Sequence, residues 1–411
     1  MEYLTRAVDS HVEGLLKAFP AVLVVGPRAC GKTTSMRRLA SQVINLDVPS
    51  QADSARADPD DLIARYDSET LLVDEWQEVP EILGALKRSI DSNVPTKVGK
   101  FIITGSVRGR RQQTGWAGTG RFIRVKMFGL TQAELSDKPN FNPINRLFSK
   151  NGFEAASTNL TRSDYINLIC ASRFPDALKL DRKNRRTWLG SYVSELIDED
   201  ATKLTEKGSV SGKLKTAFGS TAARTAQLLN ISAVGNDANI DSRTAEGYLQ
   251  LLEDLGVVFR LPAWHNKRLK RLVKSPKVHI SDAGLAAHLL SSDAEVIATD
   301  AQLAGQLFET FVAGEIVTHA ETSTEPTDVM HFRNQRGLEV DLVIQQGNDV
   351  AGVEVKSGTR VSIDDAKGLI HLRDALGENF VRGVIFYTGT TPRKITERIV
   401  ALPIRSLWAE S

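Results

Sequence analysis

Three stretches of this 411-residue chain hold residues whose types and spacing point to chemistry. The first is Gly26-Pro27-Arg28-Ala29-Cys30-Gly31-Lys32-Thr33-Thr34, which fits G-x-x-x-x-G-K-[ST] at every position. The glycines let the backbone turn sharply, so that N–H groups converge on phosphate oxygens. Lys32 is then expected to reach the β- and γ-phosphates of ATP, and the Thr33 hydroxyl to ligate Mg²⁺. The second stretch ends in Asp74-Glu75, which closes an apolar run from Thr70. Asp74 is expected to support the Mg²⁺ and Glu75 to polarise the attacking water. Thr104 ends a further apolar run and is the candidate for sensing the γ-phosphate, with Ser106 as the alternative. Arg121 is the candidate for neutralising transition-state charge, in cis or from a neighbouring subunit. It sits in a segment with Arg108, Arg110, Arg111 and Arg124. Solvated or nucleic-acid-facing arginines are the competing reading there. The third stretch carries Glu339, Asp341, Glu354 and Lys356 on two alternating runs, Gly337–Ile344 and Gly352–Gly358. A two-residue period puts Glu339 with Asp341 on one face and Glu354 with Lys356 on one face. A regular hairpin brings Asp341, Glu354 and Lys356 together.

These residues need elements to position them. Val22 to Val25 read as a buried parallel strand before the glycine loop, and a helix carrying Met36, Leu39 and Ala40 follows it. Val43–Leu46, Thr70–Asp74 and Lys100–Thr104 supply further strands, with a helix over Pro80–Ile90 between the last two. Ligands at strand carboxyl ends and helices between strands describe a doubly wound α/β sheet of the P-loop NTPase class. A polar segment with Pro139 and Pro143 follows and reads as a linker. The expected division is 1–135 for the ATPase domain, 136–161 for the linker, 162–300 for a helical and winged-helix-like region and 301–411 for a C-terminal domain.

GPRACGKTT, LLVDEWQEVP, FIITGS and GLTQAEL closely resemble the motifs of a large group of bacterial and archaeal AAA+-type ATP-binding proteins. The resemblance implies an AAA+-like ATPase half followed by a C-terminal half with a restriction-endonuclease-like, PD-(D/E)xK nuclease-like α/β fold. In that fold the D…E-x-K carboxylates bind Mg²⁺ and the lysine orients water, which here implies Asp341, Glu354 and Lys356. A helical glutamate completes the set; Glu309 is the first choice and Glu315 the second. The family's glycine-rich FPE element stands here as Ala171-Ser172-Arg173-Phe174-Pro175-Asp176, a departure from its pattern.

The middle region reads as helix, helix and β-hairpin, a winged-helix order. Its hairpin, Arg260–Ser281, holds Arg260, Lys267, Arg268, Lys270, Arg271, Lys274 and Lys277 with no acidic residue, and Trp264 and His265 stand at one edge. Such a hairpin suits a phosphate backbone, and Lys267, Arg268, Lys270, Arg271 and Lys274 are the candidate DNA contacts. A solvated hairpin, or one paired with Glu195–Asp200, is the alternative. Net charge of +2 names no partner. Two distant cysteines, Cys30 and Cys170, form no metal or disulfide pattern and suit a reducing cytoplasm. No apolar run spans a bilayer. The expected function is a Mg²⁺-dependent ATPase coupled to a DNA-associated task, with self-association as a dimer or ring. The alternatives are an ATP-switched protein-interaction module with an inert nuclease-like domain, and an ATP-gated metal-dependent nuclease.

Overall fold

The computed structural model describes residues 3–66, 69–92, 98–105, 120–149, 157–200, 210–265 and 274–409. The chain divides into two compact units. One is Met1–Leu130 with Asp254–Gly256, and the other is Thr131–Glu253 with Val257–Ser411.

The first unit is built on a five-stranded sheet. Its strands are β1 (Ala21–Val25), β2 (Gln42–Asn45), β3 (Leu71–Asp74), β4 (Phe101–Gly105) and β5 (Phe122–Lys126), in the order β2-β3-β4-β1-β5. Every pairing in it is parallel. β1, β3 and β4 are buried along their whole length, as β-branched and aliphatic runs covered on both faces must be. One face packs against Ile82, Leu83, Leu86 and Ile90 of the helix Ile82–Ser92, and the other against Val8 and Val12 of the helix Ala7–Leu16. The helix after the glycine loop is Lys32–Arg37, shorter than its apolar spacing suggested. The N–H groups of Arg38 and Leu39 bond three residues back to Ser35 and Met36, which tightens the last turn and ends the helix before Ala40.

The second unit holds two sheets. In the smaller one, β6 (Gln227–Leu228), β7 (Val258–Leu261) and β8 (Lys277–Ile280) lie in the order β6-β8-β7. The helix Val210–Ala223 precedes β6, and the helices Ile231–Asp237 and Ser242–Asp254 separate it from β7. The larger sheet has β9 (Asp328–Arg333), β10 (Glu339–Gln346), β11 (Asp349–Lys356), β12 (Phe380–Tyr387), β13 (Arg393–Thr396) and β14 (Ile399–Pro403). Their order is β13-β14-β12-β11-β10-β9. β10 and β11 form a two-residue hairpin in which Leu342 faces Val353 and Gln346 faces Asp349. β11 pairs parallel with β12 across the helix Lys367–Leu376.

Two expected boundaries change. Segment 136–161 is in part packed structure rather than a free linker. Asn142 caps the helix Pro143–Leu147, whose Pro143, Ile144 and Leu147 are buried, and Arg382 donates to the carbonyls of Arg146 and Ser149. Residues 162–300 and 301–411, read as separate domains, lie in one compact unit. The helix Ala301–Glu321 is the reason. It is buried along much of its length, Ile316 and His319 included, and it touches both the helix Ala283–Leu289 and β11.

Arg173, in the segment that departs from the family's FPE element, ties these helices together. Ser172 has φ 64°, and this turn lets the Arg173 N–H donate to Asp282 at 2.7 Å. The Arg173 guanidinium donates to Glu315 at 3.2 Å and to the Ser281 carbonyl at 2.9 Å. Glu315 is fully buried, and burial pushes its carboxyl up to about 7 against the pull of Arg173. Removing the cation from such a pair leaves an uncompensated buried group. Arg173→Ala is therefore expected to lower unfolding free energy by about 3–5 kcal/mol in urea denaturation. Exposed Arg56→Ala is expected to change it by less than about 0.5 kcal/mol.

Candidate functional site

The glycine loop leaves the buried end of β1. A Cβ on Gly26 would stand 1.9 Å from the Met127 carbonyl, so no other residue fits this close approach. Gly31 has φ 99° and Ala29 φ 58°, both left-handed, which turns successive N–H groups inward. The loop is clamped from behind by Arg6, which is 4% exposed. Its guanidinium donates to the carbonyls of Cys30 at 3.1 Å, Phe128 at 3.0 Å and Gly129 at 3.1 Å. Cys30 is buried with its Sγ 3.6 Å from the Met127 carbonyl, so it serves as packing under the loop. The Lys32 ammonium donates to the carbonyls of Gly26 at 3.0 Å and Pro27 at 2.8 Å. Pro27 is buried, Arg28 and Thr33 are half-buried, and Ala29 and Thr34 are exposed.

Asp74 ends β3 and is buried. Thr104, fully buried near the end of β4, donates its hydroxyl to an Asp74 carboxylate oxygen. Glu75 turns off the strand with φ 54°, a left-handed conformation that an L-residue adopts at a cost of about 1–2 kcal/mol. Burial pushes its carboxyl up. The Gln77 hydrogen bond, Lys32 and Arg28 pull it down, and the charge of Asp74 adds to the rise. The glycine loop and the Asp74-Glu75 pair are thus within electrostatic reach of each other.

Two contributors were not singled out from the sequence. Gln77 donates to Glu75, and its Oε1 stands 2.2 Å from where a Cβ on Gly105 would be. The DE-x-Q stretch and the TGS strand end therefore interlock, and a Gln two residues after the carboxylate pair was the available signal. Arg6 had none, lying on a helix start among mixed charges.

Arg121 is not placed for action in cis. It precedes β5 at the end where Phe122 pairs with Ala21, whereas the loop leaves β1 at Val25. A five-residue strand separates these ends by roughly 16 Å. Its guanidinium donates to Asp91 at 2.7 Å. Ser106, Arg108, Arg110 and Arg111 lie outside the described residues.

The second cluster lies at β8, the helix Ala301–Glu321 and the β10–β11 hairpin. Asp341, Glu354 and Lys356 come together as the strand period requires, and Glu309 joins them from the helix Ala301–Glu321. One Asp341 oxygen accepts from the Val355 N–H at 2.9 Å, and Lys356 donates to Glu354 at 3.0 Å. Glu315 points elsewhere, to Arg173. The unexpected member is Lys277. It is 1% exposed, and its ammonium lies 2.7 Å from Glu309, 2.5 Å from Glu339 and 3.1 Å from Asp341. Burial pulls the Lys277 ammonium down, but Glu309, Asp341 and Glu339 outweigh it and hold it well above the usual lysine range. Burial and the charge of Asp341 push Glu309 up to about 8 and raise Glu354 well above its ordinary value. The oxygens a divalent ion needs face ammonium groups, so the donor set as arranged does not fit Mg²⁺. Among the described residues no group of three or more His, Cys, Asp or Glu is arranged to hold a metal.

The basic hairpin also differs from its expected surface role in three places. Lys277 is buried. Trp264 is 2% exposed and donates to Gln345 at 2.8 Å. Arg260 pairs with Glu246 at 2.8 Å and Glu253 at 3.0 Å rather than facing outward. Lys274 and His265 are exposed. Lys267, Arg268, Lys270 and Arg271 lie outside the described residues.

Comparison with known proteins agrees with the first cluster. Residues 18–136 match the family described as AAA domain. Together with the parallel sheet and the loop, this supports a P-loop NTPase fold of the AAA type for the segment. Residues 162–296 match a domain of unknown function, DUF8612, and residues 304–407 another, DUF4143. An uncharacterized protein of Mycobacterium tuberculosis and one of Mycobacterium bovis are each 24% identical over 405 residues, 97% of this chain and 83% of the relative. Among solved structures, the Walker-type ATPase PABY2304 of Pyrococcus abyssi overlaps 70% of this chain and 96% of its own. Its identity is 14% and its TM-score 0.42. A RuvB T158V variant of Thermotoga maritima overlaps 62% and 89% at 17% identity and TM-score 0.24. Overlaps this low carry no argument, and the fold assignment rests on the sheet and the loop. Among the described residues no helix is long and apolar enough to cross a membrane.

Arg6→Ala removes a guanidinium from three carbonyls behind the loop. It is expected to cost roughly 2–3 kcal/mol in urea denaturation. Exposed Arg37→Ala serves as the comparison, with a change under about 0.5 kcal/mol.

Proposed function

We propose that the chain hydrolyses ATP to ADP and phosphate with Mg²⁺ as cofactor. The observation that carries this is the meeting of a complete phosphate loop with a buried Asp74, held by Thr104, and a left-handed Glu75 held by Gln77. The residues fit the ligand. Gly26 leaves room for nothing but backbone. Lys32 rests on the loop's own carbonyls, which a triphosphate replaces with better acceptors. The loop residues Gly26 to Thr34 bind the phosphates, and Thr33 and Asp74 hold the Mg²⁺. The bound ion neutralises phosphate charge. Glu75 orients water and, because burial raises its carboxyl, is tuned toward accepting a proton. Thr104 fixes the Asp74 carboxylate and reads the γ-phosphate through it. Arg121 acts only across subunits, in a dimer or ring.

The finer reading couples turnover to a DNA-associated task in the cytoplasm, possible substrates including branched or processed DNA. Its support is the order helix, strand, helix, helix, hairpin with sheet order β6-β8-β7, which fits a winged helix, and the run Lys267, Arg268, Lys270, Arg271 and Lys274. The mixed sheet with its E-x-K hairpin supports a nuclease-like fold for residues 301–411, with 1–135 as the ATPase domain and 162–300 as the winged-helix-like region. A second reading has ATP setting the state of a protein-binding platform while the nuclease-like part is inert. The Lys277 ammonium among the carboxylates favours that inertness, and counts against an ATP-gated nuclease.

The test is ATP turnover with and without duplex, single-stranded and branched DNA at two salt concentrations. Lys32→Ala is expected to abolish turnover, and Glu75→Gln to lower kcat by about 10²–10⁴ while ATP still binds. Retained turnover in Lys32→Ala sinks the nucleotide assignment. Salt-sensitive stimulation by one DNA form supports the DNA reading, and indifference to every form favours the platform.

A further inference from the structure

We propose that Lys277 is the resident cation of the C-terminal carboxylate cluster. In this reading its ammonium takes the place of a divalent ion, and the wild-type chain does not bind Mg²⁺ or Mn²⁺ there. The inference builds on the E-x-K likeness and is independent of the ATPase reading.

The geometry points to this through donor counting. A lysine ammonium has three N–H donors and no acceptor. Lys277 has three carboxylate oxygens within reach, from Glu309, Glu339 and Asp341 at 2.7, 2.5 and 3.1 Å. Three of the remaining oxygens are also engaged. The second Asp341 oxygen accepts from the Val355 N–H, the second Glu339 oxygen lies 3.3 Å from Arg333, and Glu354 accepts from Lys356. Mg²⁺ demands six oxygens at about 2.0–2.1 Å in near-octahedral array, and water supplies only some of them. An ion entering here must displace an ammonium that already holds an oxygen of three of the carboxylates.

Lys277 is not a mobile arm that swings out. It lies on β8, the central strand of its sheet, where its backbone is registered against Leu228 of β6 on one side and Leu261 of β7 on the other. Its side chain is 1% exposed. The pairing fixes where its stem begins, and withdrawing the ammonium means giving up three carboxylates at once. The ammonium therefore acts as a permanent counter-ion that fastens the smaller sheet to the β10–β11 hairpin and the helix Ala301–Glu321. It excludes metal-dependent cleavage at this centre.

The test counts bound Mn²⁺ by electron paramagnetic resonance on the full chain, stripped with chelator and free of nucleotide. Wild type, Asp341→Asn and Glu354→Gln are expected to bind the same number of ions. Lys277→Met, which keeps the apolar stem and frees the carboxylates, is expected to bind one more. That ion should be lost again in the Lys277→Met/Asp341→Asn double variant. One extra ion in wild type relative to Asp341→Asn or Glu354→Gln overturns the proposal, as does a folded Lys277→Met that gains none. Where Lys277→Met fails to fold, the wild-type comparison decides alone.

Discussion

A cation buried in protein must find anions or carbonyls to replace its water, and this requirement shapes both units. Arg6 meets it with the carbonyls of Cys30, Phe128 and Gly129, so the phosphate loop and the end of β5 are held by one guanidinium. Arg173 meets it with Glu315 and the Ser281 carbonyl. Lys277 meets it with three carboxylates from a helix and a strand. In each case the cation joins segments far apart in sequence. Each also makes the surrounding packing specific, because a slipped register leaves a charge uncompensated.

The phosphate loop shows how such a clamp serves chemistry. Loop N–H groups bind phosphate well only when their directions are set beforehand, since ordering them on binding costs conformational entropy. Gly26 pressed against the Met127 carbonyl, Cys30 buried beneath the loop and Arg6 behind it fix those directions without ligand. The same holds at the acidic pair. Thr104 fixes Asp74, and Gln77 fixes Glu75 in a conformation the backbone would not choose alone. Strain at Glu75 is tolerated because Trp76, buried directly after it, anchors the turn.

The first unit was legible because its information is local. The loop pattern, the strand before it and the carboxylates closing β3 all lie within short windows, and the parallel order followed from strand–helix alternation. Asp341, Glu354 and Lys356 were legible as a convergent group for a similar reason, since strand period decides which side chains share a face, while Glu309 came from the family resemblance. What stayed hidden was non-local. Arg121 looked like a finger by its glycine neighbours, but strand direction places it at the end of the sheet away from its own loop, which leaves only the reading across subunits. Lys277 looked like one more basic hairpin residue, because charge runs carry no record of which member turns inward. Within segment 136–161, Pro143, Ile144 and Leu147 form a buried helix whose apolar spacing is too short to stand out among polar neighbours.

The C-terminal cluster separates two things that a motif is usually taken to say together. D…E-x-K on adjacent strands guarantees that two carboxylates and a lysine share a face, because backbone geometry alone enforces it. It does not say what charge those carboxylates will meet. Carboxylates gathered this closely cannot all remain ionised without cations, and a chain can supply these from solution or from its own side chains. Here Lys277 on one sheet and Lys356 and Arg333 on the other do so, and crowding and burial push the carboxyls of Glu309 and Glu354 up. With internal cations the cluster is a joint between two sheets whose strength does not depend on a metal supply. A centre that must bind and release an ion for each reaction needs an open coordination position. The filled centre and the open phosphate loop therefore assign different work to the two halves of the chain. One half turns backbone N–H groups toward a ligand, and the other spends its charges on holding a fixed shape.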